Sequence, residues 1–297
     1  TVSASAGPHI LRGKAWGSSG EYCETDIRLN VSSSPIGIQP PPNATVWAHL
    51  ENDNNGTSGG SCKGANPNAN VWQTQPDSGT GGTKSGSSSL VSSPVYGGQS
   101  DSRQFTMTFN NGGNTSVRPG VRWFDKAIAD TPSATHFLYD AYVYLAPGSN
   151  VDDIEMDINH SIGSTGQLYI LAAQCDLPSG NWQVSIETES PHWVNTNASC
   201  SASQVTPGVW HHFQIETYHD TEPGQNIYYE SVALDGNVTP ITTCKNQTTG
   251  ATVPCQSTST NPNWSGLIGP NFQLDGNGKL SSGTATAYVD NFTIYYW

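Results

Sequence analysis

The sequence predicts an all-β protein built as a two-sheet sandwich, and three observations predict it. Only 12% of the 297 residues are charged, while glycine and proline number 31 and 19, a balance that favours short strands and turns over helices. Apolar and polar residues alternate with period two in run after run from Phe105 onward. Turn dipeptides such as Pro147-Gly148, Pro207-Gly208, Asp235-Gly236 and Asp275-Gly276 separate those runs.

Taken in order, the first elements are two strands, His9–Trp16 and Tyr22–Val31, joined by the turn Gly17-Ser18-Ser19-Gly20. Two strands cannot bury a core of their own. The pattern Gly7-Pro8-His9, then Leu11, then Ala15-Trp16-Gly17, with a second strand ending Leu29-Asn30-Val31, resembles the closing hairpin of bacterial immunoglobulin-like domains. That resemblance implies a hairpin remnant over residues 1–33. Residues 34–48, with Pro40-Pro41-Pro42, read as a stiff linker that holds the hairpin apart, and residues 49–104, almost free of apolar residues, read as Gly/Ser/Asn-rich loops. Residues 105–297 form the sandwich, with strands expected at 105–109, 137–145, 151–159, 167–173, 182–186, 209–217, 228–234, 272–274 and 286–296.

A net charge of −13 with only 11 Lys+Arg excludes a nucleic-acid role, because backbone binding requires a basic patch. An anionic membrane surface is disfavoured for the same reason, and no apolar run approaches the roughly 20 residues of a membrane span. The six cysteines fit no close metal-binding spacing and read as disulfides of an oxidising, extracellular compartment. Proximity pairs Cys175 with Cys200 and Cys244 with Cys255, leaving Cys23 for Cys62. Asn-x-Ser/Thr sequons at Asn30, Asn43, Asn55, Asn114, Asn159, Asn197, Asn237, Asn246, Asn263 and Asn291 would coat the surface if the source cell glycosylates asparagine.

Alternation places Ile154, Met156 and Ile158 in the core and turns Glu155, Asp157 and Asn159 outward. By the same rule Trp210, His212, Gln214, Glu216 and Tyr218 face out beside Asp140, Tyr142 and Tyr144. A single face carrying Tyr142, Tyr144, Trp210 and Tyr218 around Glu155, Asp157 and Glu216 has the composition of a sugar cleft, with rings to stack on pyranoses and carboxylates to accept hydroxyl hydrogens. His192 and Trp193 are expected at its rim. No metal site is expected, although Asp152-Asp153 has the chemistry of a structural calcium ligand pair.

The Glu155-Met156-Asp157 strand, the Trp210-His211-His212 strand after a Pro-Gly turn, and the closing Tyr288-Val289-Asp290-Asn291-Phe292 strand resemble the concanavalin A-like lectin/glucanase superfamily, as found in secreted acidobacterial proteins. The likeness spans about residues 120–297 and implies a jelly-roll sandwich that handles glycan, with polysaccharide as the partner and no cofactor. Laminarinase-type members of that superfamily carry a nucleophile Glu, a helper Asp two residues on, and an acid/base Glu beyond it. Glu155 and Asp157 match the first two, but Asn159 and His160 stand where the third belongs. A glycosidase would therefore need Glu216 as its second carboxyl, about 5 Å from Glu155. The expected function is carbohydrate binding by a secreted surface or matrix protein. The alternatives are that hydrolase and a fibre subunit in which the hairpin completes the sheet of a neighbouring copy.

Overall fold

In the computed structural model, residues 37–52, 72–78, 80–125, 129–221, 226–263 and 265–297 are described in full, and residues 7–16, 22–31, 62–63 and 128 by backbone pairing. The Gly17–Gly20 turn, Asn55 and the sulfurs of Cys23 and Cys62 lie outside the described residues. The strands begin with β1 (Gly7–Trp16), β2 (Tyr22–Val31), β3 (Thr45–Ala48), β4 (Cys62–Lys63), β5 (Gln73–Pro76), β6 (Thr83–Val91), β7 (Ser102–Asn110), β8 (Gly120–Phe124) and β9 (Ile128–Ala129). Long strands follow: β10 (His136–Leu145), β11 (Val151–Ile162), β12 (Gln167–Asp176), β13 (Asn181–Ser185), β14 (Trp193–Ser199), β15 (Trp210–His219) and β16 (Asn226–Leu234). The chain closes through β17 (Asn237–Pro240), β18 (Cys244–Asn246), β19 (Thr252–Val253), β20 (Gln256–Thr258), β21 (Leu267–Gly276) and β22 (Ser282–Tyr296).

Two antiparallel sheets make a jelly-roll sandwich, so the fold is all-β as the alternation predicts. The front sheet runs β19-β18-β14-β13-β12-β11-β21-β8-β5, with β9 on β21. The back sheet runs β17-β16-β15-β10-β22-β7-β6, with β20 on β16 and β3 on β22. Between them lie the alternate apolar residues of both sheets, among them Trp123, Trp182, Phe105, Phe137, Phe213 and Phe272, all nearly inaccessible. Trp182 of the front sheet meets Phe213 of the back edge-on, ring centroids 5.7 Å apart, a favoured aromatic geometry. The Cys175–Cys200 disulfide is buried in the same core, and Cys244 pairs with Cys255.

Two expectations about the N-terminal third are corrected. The sandwich does not start at residue 105: β3, β5, β6 and β7 bring residues from 45 onward into its sheets. The Pro-rich segment is not a free-standing linker over its described residues. Its residues from 37 onward lie on the back sheet, where Ile38 N–H donates to Gln214 Oε1 and Gln214 Nε2 donates to Ile38 O, both at 2.9 Å. The cause is apolar surface, because Leu138 and Ala233 interrupt the alternation and are buried beneath Ile38 in a cluster of their own. The β1–β2 hairpin forms as expected, and β4 of the same chain adds to it on the β2 side, which sets Cys62 opposite Cys23.

Candidate functional site

The outward face of the front sheet is polar in an ordered way. Pairing register sets Gln75, Arg122, Gln273, Glu155, Gln174, Gln183, Asn195 and Lys245 opposite one another in a row across successive strands from β5 to β18. Beside it a second row holds Gln73, Phe124, Asn271, Asp157 and Ala172, with Ser185 and Trp193 paired further along. Asn159 belongs to a third, opposite Gly269 and Ile170. A groove of about 670 Å³ opens over these rows, walled by Arg122, Phe124, Asn159, Asn271, Gln75 and Leu267.

Much of the first row is self-bonded. Gln174 Nε2 donates to Gln183 Oε1 at 2.6 Å, and Gln183 Nε2 donates to Asp176 Oδ2 at 2.6 Å and to Asn195 Oδ1 at 2.9 Å. Arg122 Nε donates to Gln273 Oε1 at 3.2 Å, and Gln273 Nε2 donates to Asp275 Oδ1 at 2.9 Å. Elsewhere on this face the accounting fails: Asp157 Oδ1, Asn159 Oδ1, Gln174 Oε1 and both amide atoms of Asn271 are buried without a hydrogen-bond partner. Buried polar atoms are nearly always satisfied, and here Asp157 has Asn271 on the neighbouring strand and Glu155 on its own strand close enough to influence its proton.

The carboxyls here are held toward their neutral forms. Burial, then Asp157, then Asp275 push Glu155 well above the usual carboxylate range, against the pull of Arg122. Burial also raises Asp157, while Arg122 draws it down. Burial lifts Asp275 to about 7, helped by Asp77.

The sequence-predicted site is split by this architecture. Glu155, Asp157, Asn159 and Trp193 share the front face, but Tyr142, Tyr144, Trp210, His212, Glu216 and Tyr218 sit on β10 and β15 and face out from the back sheet. Glu155 and Glu216 thus point away from each other across two sheets packed about 10 Å apart, so they cannot form a retaining pair. Glu216 Oε2 instead accepts the hydroxyl of Ser231 at 2.6 Å.

The back-sheet rings stand upright and stack on one another rather than offering open faces. Tyr142 lies between Tyr96, at 3.7 Å and 17°, and His212, at 4.3 Å and 4°. Tyr218 lies between His136 at 5.1 Å and Tyr228 at 4.4 Å. Side chains perpendicular to a sheet with strands about 4.8 Å apart meet face to face, which makes these cross-strand pairs that stabilise the sheet. Trp210 has only inclined neighbours, Tyr144 at 5.5 Å and 53° and Tyr96 at 5.9 Å and 63°.

His192 is exposed at the start of β14, with its Nδ1 at 3.3 Å from Ile186 O. Asp152 and Asp153 are engaged by Arg118, whose Nη1 lies 2.8 Å from Asp153 Oδ2 and 3.2 Å from Asp176 Oδ2, with Nε 3.4 Å from Asp152 Oδ2. Among the described residues no group of three or more His, Cys, Asp or Glu is arranged to hold a metal ion. No helix among them is long and apolar enough to cross a membrane. Sequence reasoning missed Arg122, Phe124, Asn271 and Gln273. The alternation Val121-Arg122-Trp123-Phe124 carried the signal for the first two, because Trp123 is core and its neighbours must face out.

No family model matches the chain, and no curated protein matches it. Among solved structures it is similar to a cellulose induced protein, Cip1, at 15% identity and TM-score 0.40, over 75% of this chain and 90% of that one. An endo-β-1,4-glucuronan lyase from the fungus Trichoderma reesei matches at 11% identity and TM-score 0.40, over 70% and 86% of the two chains. A β-glucanase of Bacillus licheniformis matches at 11% identity and TM-score 0.34, over 86% and 99%.

Proposed function

We propose that the protein binds a glycan chain laid across the strands of its front sheet. The observation that carries the reading is the set of buried, unpartnered polar atoms at Asn159 and Asn271, which line a groove of about 670 Å³, and at Asp157, which pairs with Asn271 on the neighbouring strand. Hydroxyl groups both donate and accept, so a sugar satisfies carboxylate, carbonyl and amide atoms alike, and the volume lies in the range of ligand pockets. Phe124 and Trp193 stand on the same face at opposite ends, five strand spacings or about 24 Å apart, which gives an extended ligand apolar surface at each end. The two core disulfides support an oxidising, extracellular setting.

Binding is favoured over cleavage because Asn159 occupies the place where a further carboxyl would complete the Glu155–Asp157 strand, and Glu216 faces the other way. Titration calorimetry against a panel of soluble polysaccharides tests the reading. Wild type should bind at least one of them, and Asn271→Ala and Trp193→Ala should each weaken that binding at least tenfold. Unchanged affinity in both, with loss in Trp210→Ala, would move the site to the back sheet and overturn the proposal.

A further inference from the structure

We infer that the glycan taken by the front groove is acidic, and that Arg122 selects it by pairing with a sugar carboxylate. This rests on the glycan-binding reading and narrows it to a substrate class. Arg122 is half-buried in the groove wall, and among the described residues its only hydrogen bond runs from Nε to Gln273 Oε1 at 3.2 Å. Both terminal amino groups are left without a hydrogen-bond or ion-pair partner. Arg118, two residues before β8, differs: its Nη1 bonds both oxygens of Asp153, at 3.1 and 2.8 Å, and Asp176 at 3.2 Å. One arginine is therefore a structural clamp, while the other lines the groove with its terminal donors uncommitted among the described residues.

The mounting of Arg122 is fixed from behind. Asp275 Oδ1 accepts from Gln273 Nε2 at 2.9 Å, and Gln273 Oε1 accepts from the guanidinium, so the plane of the fork is set before a ligand arrives. Gly120, opposite Asp275 on the neighbouring strand, leaves room for that carboxyl, because a methyl there would collide with it. A guanidinium fork presented edge-on matches the two oxygens of a carboxylate, and such bidentate pairs are stronger than bonds to neutral hydroxyls. The carboxyls that surround Arg122, namely Glu155, Asp157, Asp77 and Asp275, act on it through space without forming an ion pair. Burial disfavours the guanidinium's charge, but those carboxyls outweigh it and raise the group above its ordinary value, so Arg122 stays charged beside the groove.

The chain's net charge of −13 opposes an anionic ligand at long range. At physiological salt that field is screened beyond about 8 Å, whereas a contact pair in a groove is screened far less, so the local pairing decides affinity. The test uses acidic oligosaccharides (oligoglucuronate, oligogalacturonate and oligomannuronate) and their carboxyl-reduced forms, which keep linkage and length, titrated in 0.15 M salt. At least one acidic member should bind, and its reduced form should bind at least tenfold more weakly. Arg122→Gln should bring the acidic ligand down to the level of the reduced one, while Arg122→Lys, which keeps the charge but loses the fork, falls between. Equal affinity for an acidic glycan and its reduced form would overturn the inference and leave the binding reading standing. Failure of every acidic and neutral glycan to bind would overturn both. If Arg122→Gln does not fold, the comparison of acidic and reduced ligands on wild type decides alone.

Discussion

Tyr142 shows how a residue's neighbours decide its role. With Tyr96 on one side and His212 on the other, neither face of its ring is open to a sugar, so Tyr142→Ala should cost about 1–3 kcal/mol of stability and leave glycan affinity unchanged. Thermal unfolding and calorimetry on the same variant measure both. His160 and His219 make a different kind of pair, ring nitrogens 2.9 Å apart and fully buried, joining β11 of one sheet to β15 of the other. Burial and the neighbouring His219 hold His160 down at about 3, and burial lowers His219 too. Unfolded imidazoles titrate near 6.5, so below that pH the unfolded chain binds protons that the folded pair excludes. The pair's contribution is complete above about pH 6.5 and declines as pH falls toward about 3. Wild type should therefore lose thermal stability relative to His160→Gln between about pH 7.5 and pH 4.5. A difference that stays constant with pH would show that the pair does not exclude protons.

At the scale of elements, the strap over the back sheet hangs on one side chain. Gln214→Ala removes both hydrogen bonds to Ile38 and leaves a buried amide and carbonyl unpaired, which should cost roughly 1–3 kcal/mol and speed hydrogen exchange at Ile38. Gly37→Ala should act similarly, since a methyl there collides with the Gln214 amide. Unchanged exchange in both would mean that Leu138 and Ala233 alone hold the strap. The long strands were legible because each sends one apolar face into the core, and the apolar alternation of β10, β11 and β15 reports that directly, although β11 buries its polar face as well. The strand β6 was illegible for a physical reason. It lies at a sheet edge, and where its residue Gly86 faces the core a methyl would meet Trp123 Cζ2 at 2.9 Å, so the large partner fills the space and only small residues fit. A strand of Ser, Thr and Gly reads as a loop because the hydrophobic payload sits on its neighbour.

For the molecule as a whole, alternation tells which residues of a strand face out but not which sheet the strand joins. That is why Glu155 and Glu216 read as members of one face although β11 and β15 belong to different sheets. Sheet membership depends on crossovers between sandwich layers, and the long-range pairing of β11 with β21 and of β10 with β22 has no local signature. The cysteine pairs were legible because short loops bring cysteines together, and two of the three bonds are present as expected. The remaining pair has a backbone argument. Cys23 and Cys62 are direct partners in the antiparallel pairing of β2 with β4, and residues so placed have Cα atoms about 4.5–5.5 Å apart, inside the range a disulfide spans. Peptide mapping under non-reducing conditions should recover Cys23 joined to Cys62. Among the described residues the three-stranded sheet β1-β2-β4 shares no strand with either large sheet, and only the two-residue β4 pairs with the hairpin. Replacing both cysteines by serine should therefore open residues 1–36 to limited proteolysis while the midpoint of sandwich unfolding stays within a few degrees of wild type. A large drop in that midpoint would show that the hairpin is part of the cooperative core rather than an appendage fastened to it.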